Sequence, residues 1–62
     1  MKITIKVGTM PAHLYYVKNK RKPPKIGDIL MIRRDNSANW ERVKVDMIRD
    51  IGGLQLYFAA RY

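Results

Sequence analysis

Lys18, Lys20, Arg21, Lys22 and Lys25 crowd into the segment KNKRKPPK, which contains no acid. Clustered cations neutralise phosphates and release the counterions condensed on a polyanion, so this segment is a candidate backbone-binding loop. The same composition also suits a solvated loop that only confers solubility. The wider charge pattern brings the first role level with the second. Residues 1–25 carry Lys2, Lys6 and the five cations above with no Asp or Glu, and the whole chain has a net charge of +8. Such a field concentrates polyanions near the protein and speeds their capture.

A second group is Trp40, Arg42, Lys44, Tyr57 and Arg61. Under the strand register argued below, these share the outward side of the last hairpin. Aromatic rings stack on bases while cations hold the phosphates, which is the working principle of single-strand platforms. In that register Lys44 stands opposite Arg61, a like-charge pair that destabilises a sheet unless an anion lies between. The competing role for Trp40 is to cover an open end of a thin barrel.

His13, Tyr15 and Tyr16 form a third group, of which one or two must enter the core. His13 has no second His, Cys or suitably spaced carboxylate beside it, so no metal site is expected. Ser37, the only serine, lies in a polar turn without an evident base. The five acids Asp28, Asp35, Glu41, Asp46 and Asp50 form no paired-carboxylate pattern. Gly52-Gly53 lacks the longer glycine pattern and following helix of a phosphate loop. No catalytic residue and no cofactor is implied. A cleft that excludes water would have to form between copies of so short a chain.

The elements that position these groups read as strands. Ile3, Ile5 and Val7 alternate with Lys2, Thr4 and Lys6, the period of a half-buried strand. Gly8 to Pro11 is a turn, and Ala12 to Val17 is a second strand. The prolines of residues 18–25 exclude a helix or a central strand, leaving an exposed loop. Ile29-Leu30-Met31-Ile32 predicts a third strand covered on both faces. Asp35 to Asn39 is a polar turn, and Trp40 opens a fourth strand. A helix over Trp40 to Ile51 is the main rival, but the alternate valines and the Gly-Gly that follows favour a strand.

Gly52-Gly53 between alternating apolar runs predicts a two-residue hairpin. With Ile51 facing Leu54, Met47 pairs with Phe58, Val45 with Ala60, Ile48 with Tyr57, Asp46 with Ala59 and Lys44 with Arg61. Val43, Val45, Met47, Leu54, Leu56 and Phe58 then form the core face, opposite Ile3, Ile5 and Ile29 to Ile32. Arg49 is the misfit, aimed toward the core near the turn.

Five short strands with no room for crossover helices make one small all-β domain over residues 1–62: an antiparallel meander, rolled into a partly open barrel. The Ile26-Gly27-Asp28-Ile29 opening, the polar turn, the Trp40-led strand and the final hairpin resemble SH3-like small barrels of the Tudor and KOW kind over residues 26–62. The chain lacks an RNP-like aromatic motif, a GXXG loop and zinc-ligand spacing. It also lacks cysteine, which fits a reducing cytoplasm, and its longest apolar run is too short to span a membrane. The expected function is nucleic-acid binding, to DNA or RNA, chiefly through backbone phosphates with aromatic stacking in support. The alternative is a small interaction or inhibitor module, such as a virus-encoded one, docking on an acidic protein surface. Oligomeric state stays open at this level.

Overall fold

A computed structural model describes all residues, 1–62, and contains five strands and no helix. They are β1 (Lys2–Val7), β2 (His13–Val17), β3 (Ile29–Arg33), β4 (Glu41–Ile51) and β5 (Leu54–Arg61). Successive strands pair antiparallel, and the meander closes into a barrel in the order β1-β2-β3-β4-β5. The first and fifth strands of an up-and-down meander run the same way. The closing pair β1–β5 is accordingly parallel, from Thr4 opposite Leu56 to Val7 opposite Ala59. Closure abolishes the free sheet edges that a partly open barrel would leave.

Alternation sends one face of each strand inward. Ile5 and Val7, Tyr15 and Val17, Leu30 and Ile32, Val43 and Val45, and Tyr57 and Ala59 make the buried core, with Ile3 and Ile48 packed against it. Each strand thus contributes two residues to a core with no buried charge. The third strand is covered on one face only, because Ile29 and Met31 point outward and are exposed.

The hairpin turn forms as the glycines dictate. Gly52 and Gly53 both have positive φ, 58° and 82°, the backbone that a two-residue turn of this hand demands. Ile51 faces Leu54, Ile48 faces Tyr57 and Met47 faces Phe58, as the sequence predicts. Beyond Met47 the expected register fails. Val45 pairs with Ala59, not Ala60, and Lys44 with Ala60, not Arg61, because Asp46 is an extra residue in a β-bulge. Two residues of β4 here oppose one of β5, so the inward phase of β4 changes from odd to even positions.

That single residue reverses the expected core face from Met47 through β5, while Val43 and Val45 are buried as the sequence predicts. Phe58 and Leu56 lie half-buried on the outside, Met47 and Leu54 are exposed, and Tyr57 is 2% exposed inside. The buried Tyr57 hydroxyl donates to Gln55 Oε1 at 2.8 Å, so its polar tip is satisfied. The bulge also removes the Arg49 misfit, since Arg49 now faces outward with Met47.

The segment after β2 is tied down more firmly than its composition suggests. Pro24 is buried. Asp28 Oδ2 accepts from Lys20 Nζ at 3.0 Å and from the Lys25 amide at 2.9 Å. Gly27 N donates to Val45 O at 2.7 Å, and Val45 N returns a bond to Asp28 O at 2.9 Å. The Lys25–Asp28 end of the loop is therefore fixed against β4, while Arg21 and Lys22 stay exposed.

Candidate functional site

The outer face of β2, β3 and β4 gathers cations and aromatic rings from distant parts of the chain. Antiparallel register sets Lys2 beside Tyr16 and Tyr16 beside Arg33. Because Tyr15, Val17 and Ile32 point inward, Tyr16 and Arg33 must point outward. The Lys2 ammonium lies 4.6 Å from the Tyr16 ring centroid, and the Arg33 guanidinium lies 4.9 Å from the same ring. Arg33 is also 5.4 Å from the Trp40 ring, as is Lys18. The row therefore reads Lys2, Tyr16, Arg33, Trp40, Lys18, with charge and ring alternating. Contacts of this length are attractive through the ring quadrupole, by about 0.5–1 kcal/mol each at exposed sites.

A second row runs beside it. Lys18 N donates to Met31 O at 2.9 Å, Met31 pairs with Arg42, and Tyr62 N donates to Arg42 O at 3.0 Å. The Arg42 guanidinium and the Lys44 ammonium stand 5.5 and 5.4 Å from the Tyr62 ring. Ile29, Lys44 and Ala60 make the next row.

The turn after β3 fixes the central cation. Ser37 N donates to Arg34 O at 3.1 Å, and Asn39 N donates to Ser37 Oγ at 3.1 Å. The turn so formed presents two carbonyls to Arg33 Nη1, Arg34 O at 3.3 Å and Ser37 O at 3.2 Å. A guanidinium has five N–H donors, so most of the fork stays free for an outside acceptor.

Charge compensation is sparse. The ion pairs are Lys2 with Asp35, Lys20 with Asp28 and Arg61 with Glu41. Tyr16 and Asp35 both raise the pKa of Lys2 above the ordinary lysine value, which keeps it charged. The Lys25 amide and the Lys20 ammonium hold the Asp28 carboxyl below its usual range. Lys18, Arg33, Arg42 and Lys44 have no acidic partner.

The candidates read from the sequence divide on this geometry. Lys18, Trp40, Arg42 and Lys44 come together on the outer face. Trp40 lies just before β4, is 37% exposed, and stands outside the core cluster, with Lys18 and Arg33 over its ring. Arg21, Lys22 and Lys25 are exposed on the loop, whereas Lys20 is half-buried and spent on Asp28. Tyr57 leaves the group, because the bulge turns it into the core. Arg61 leaves as well: Nη2 binds Glu41 Oε1 at 3.1 Å and touches Met10 Sδ at 3.8 Å. The like-charge pair of Lys44 and Arg61 does not form.

Tyr16, Arg33, Tyr62 and Lys2 are residues of this face that the sequence alone does not assign to it. Alternation alone places Tyr16 opposite in phase to a partner that must be buried, but it cannot say which tyrosine is which. The pairing of Tyr16 with Arg33 joins positions separated by the whole basic loop.

His13 faces inward, half-buried, with its ring 6.5 Å from that of Tyr15 in an edge-on arrangement. No three His, Asp or Glu side chains lie together as a metal site would require. No helix is long and apolar enough to cross a membrane. No protein-family model, curated protein or solved structure matches the chain.

Proposed function

We propose that this chain is a nucleic-acid-binding β-barrel and not an enzyme, acting in the cytoplasm through the outer face of β2, β3 and β4. The observation that carries the proposal is the alternating row Lys2, Tyr16, Arg33, Trp40, Lys18, continued by Arg42, Lys44 and Tyr62. Uncompensated cations supply the phosphate term, which does not depend on sequence. Rings between them supply flat apolar surface for bases. Arg21, Lys22 and Lys25 extend the same field from the loop. A kinship with SH3-like barrels belongs to this proposal and rests on the pattern of residues 26–62.

A second reading is a module that docks on an acidic protein. It is favoured by the apolar outer surface of the hairpin, where Leu54 is 62% and Ile51 57% exposed. Clustered exposed apolar side chains are a feature of protein contact surfaces.

The test is fluorescence anisotropy of labelled single-stranded DNA and RNA across a salt series. Wild-type protein should bind both, with log affinity falling steeply against log salt. Replacing Lys18, Arg42 and Lys44 together with Gln should reduce the slope by about one unit per lost phosphate contact. An unchanged affinity and slope would remove this face from the mechanism. A wild-type protein that ignores oligonucleotides and captures an acidic protein would establish the second reading instead.

A further inference from the structure

Beside the cationic face lies a shallow open groove of about 310 Å³, at the lower end of the range for ligand sites. Its sides are Ile26, Ala60 and Tyr62, and its charged rim is Lys44, Asp46 and Arg61. Lys44 and Tyr62 belong to both the groove and the binding face, so a strand lying on the face runs directly past the groove. Three features make it more than a dip in the surface. Ile26 and Tyr62 are 65% and 60% exposed, apolar walls left uncovered by the fold. Ala60 leaves the space between them open, since its small side chain faces outward in register with Lys44. Asp46 is the extra residue of the β-bulge, a device that re-aims a side chain.

Asp46 is an unexpected residue there. It is an exposed carboxylate that makes neither an ion pair nor a side-chain hydrogen bond, although Lys44 lines the same groove. Repulsion from phosphate would make it a liability on a surface that bound only backbone. It becomes useful if what enters the groove is a base, since a carboxylate accepts hydrogen bonds and selects base edges that donate them. Guanine offers two adjacent donors, N1–H and the 2-amino group. Cytosine and adenine offer one amino group beside an acceptor, and uracil or thymine one N–H between two carbonyls.

We propose that the groove is a base-binding site that takes one unstacked base of a single strand, with guanine preferred through Asp46 and the flanking phosphate held by Lys44. This rests on the nucleic-acid reading above and goes further. It assigns a single-stranded ligand, because a paired base has neither its face nor its Watson–Crick edge free, and it assigns a base preference to a chain otherwise held by charge.

The test uses the intact chain in amide-resolved NMR with the four nucleoside 5′-monophosphates and with ribose 5-phosphate. Guanosine monophosphate should shift the amides of Gly27, Asp46 and Ala60 at the lowest concentration, and ribose phosphate should leave them unmoved. Ala60→Phe fills the groove from an outward position. It should abolish these shifts and weaken a guanine-containing oligonucleotide about tenfold, with an unchanged salt slope. Asp46→Asn should keep nucleotide binding and lose most of the preference for guanine. Equal shifts from ribose phosphate, or an Ala60→Phe variant that binds the oligonucleotide like wild type, would overturn the base site. Either failure leaves the charge-driven binding of oligonucleotides intact, whereas a wild-type chain that binds no oligonucleotide refutes the proposed function itself.

Discussion

At the scale of single residues, Tyr57 and Phe58 are neighbours with opposite fates. Tyr57 is buried and hydrogen-bonded through its hydroxyl, while Phe58 lies half-buried outside. Tyr57→Ala should therefore cost about 3–5 kcal/mol, comparable to the stability of so small a domain. Phe58→Ala should cost on the order of 1 kcal/mol. Equilibrium urea unfolding of both variants checks the order, and the reverse order would mean that the bulge is misplaced. Of the two cations over Trp40, Arg33 is held by the turn but Lys18 is exposed and makes no ion pair, so a base can displace it, whereas Lys2 beside Tyr16 is tied to Asp35. Trp40→Ala should lose about 1–3 kcal/mol of oligonucleotide affinity with the salt slope retained. A loss of slope without other change would assign Trp40 to positioning cations. Asp28 carries the pH dependence of the loop. Its folded pKa is depressed, so its contribution to stability is complete above the ordinary value of 3.8 and disappears as pH falls through the lower folded value. Thermal melts of Asp28→Asn should be flatter than wild type across that acid range, and parallel curves would show that the carboxylate does not brace the loop.

At the scale of elements, the hairpin of β4 and β5 shows what sequence can and cannot specify. Its turn was legible because glycine takes both positive φ values without steric cost. Gly53→Ala should cost about 1–2 kcal/mol, read as a lower denaturation midpoint at unchanged m-value. A midpoint equal to wild type would mean that the turn has another conformation. All five strands were legible, β1 and β4 from alternation and β3 from a short apolar run, including the choice of strand over helix for residues 41–51. The bulge was not. Leu54, Leu56 and Phe58 make one apolar phase of β5 and Tyr57 and Ala59 nearly another, so alternation could not choose between them. Asp46 disturbs no composition that would announce an extra residue. The one clue was Arg49, a charged side chain aimed at the core, which is what a register one residue out of phase produces. The loop misled for a different reason: Lys20 is compensated by Asp28, and local charge counting within residues 18–25 cannot see a partner beyond them. Half of the site was legible, Lys18, Arg42 and Lys44 as charge and Trp40 as a ring among them. Tyr16 and Arg33 required the β2–β3 pairing, a contact across the loop that no local pattern encodes.

At the scale of the whole molecule, the closed ring has an odd number of strands, and that parity has a mechanical consequence. Met1 precedes β1 and Tyr62 follows β5, and these strands run parallel, so the two ends leave the barrel on opposite sides. Force applied through Met1 and Tyr62 therefore slides β1 along β5 and loads all the hydrogen bonds of that seam at once. Force applied through Glu41 and Arg61, at the same end of an antiparallel pair, peels β4 from β5 one bond at a time. Optical-trap unfolding, which reports the kinetics of unfolding under load, should give a high-force rupture for the first attachment and a lower one for the second. Equal forces would mean that the parallel seam yields before it can bear shear. A barrel of even strand number would bring both ends to one rim and lose this anisotropy, so the fifth strand gives the domain a direction in which it resists being pulled apart.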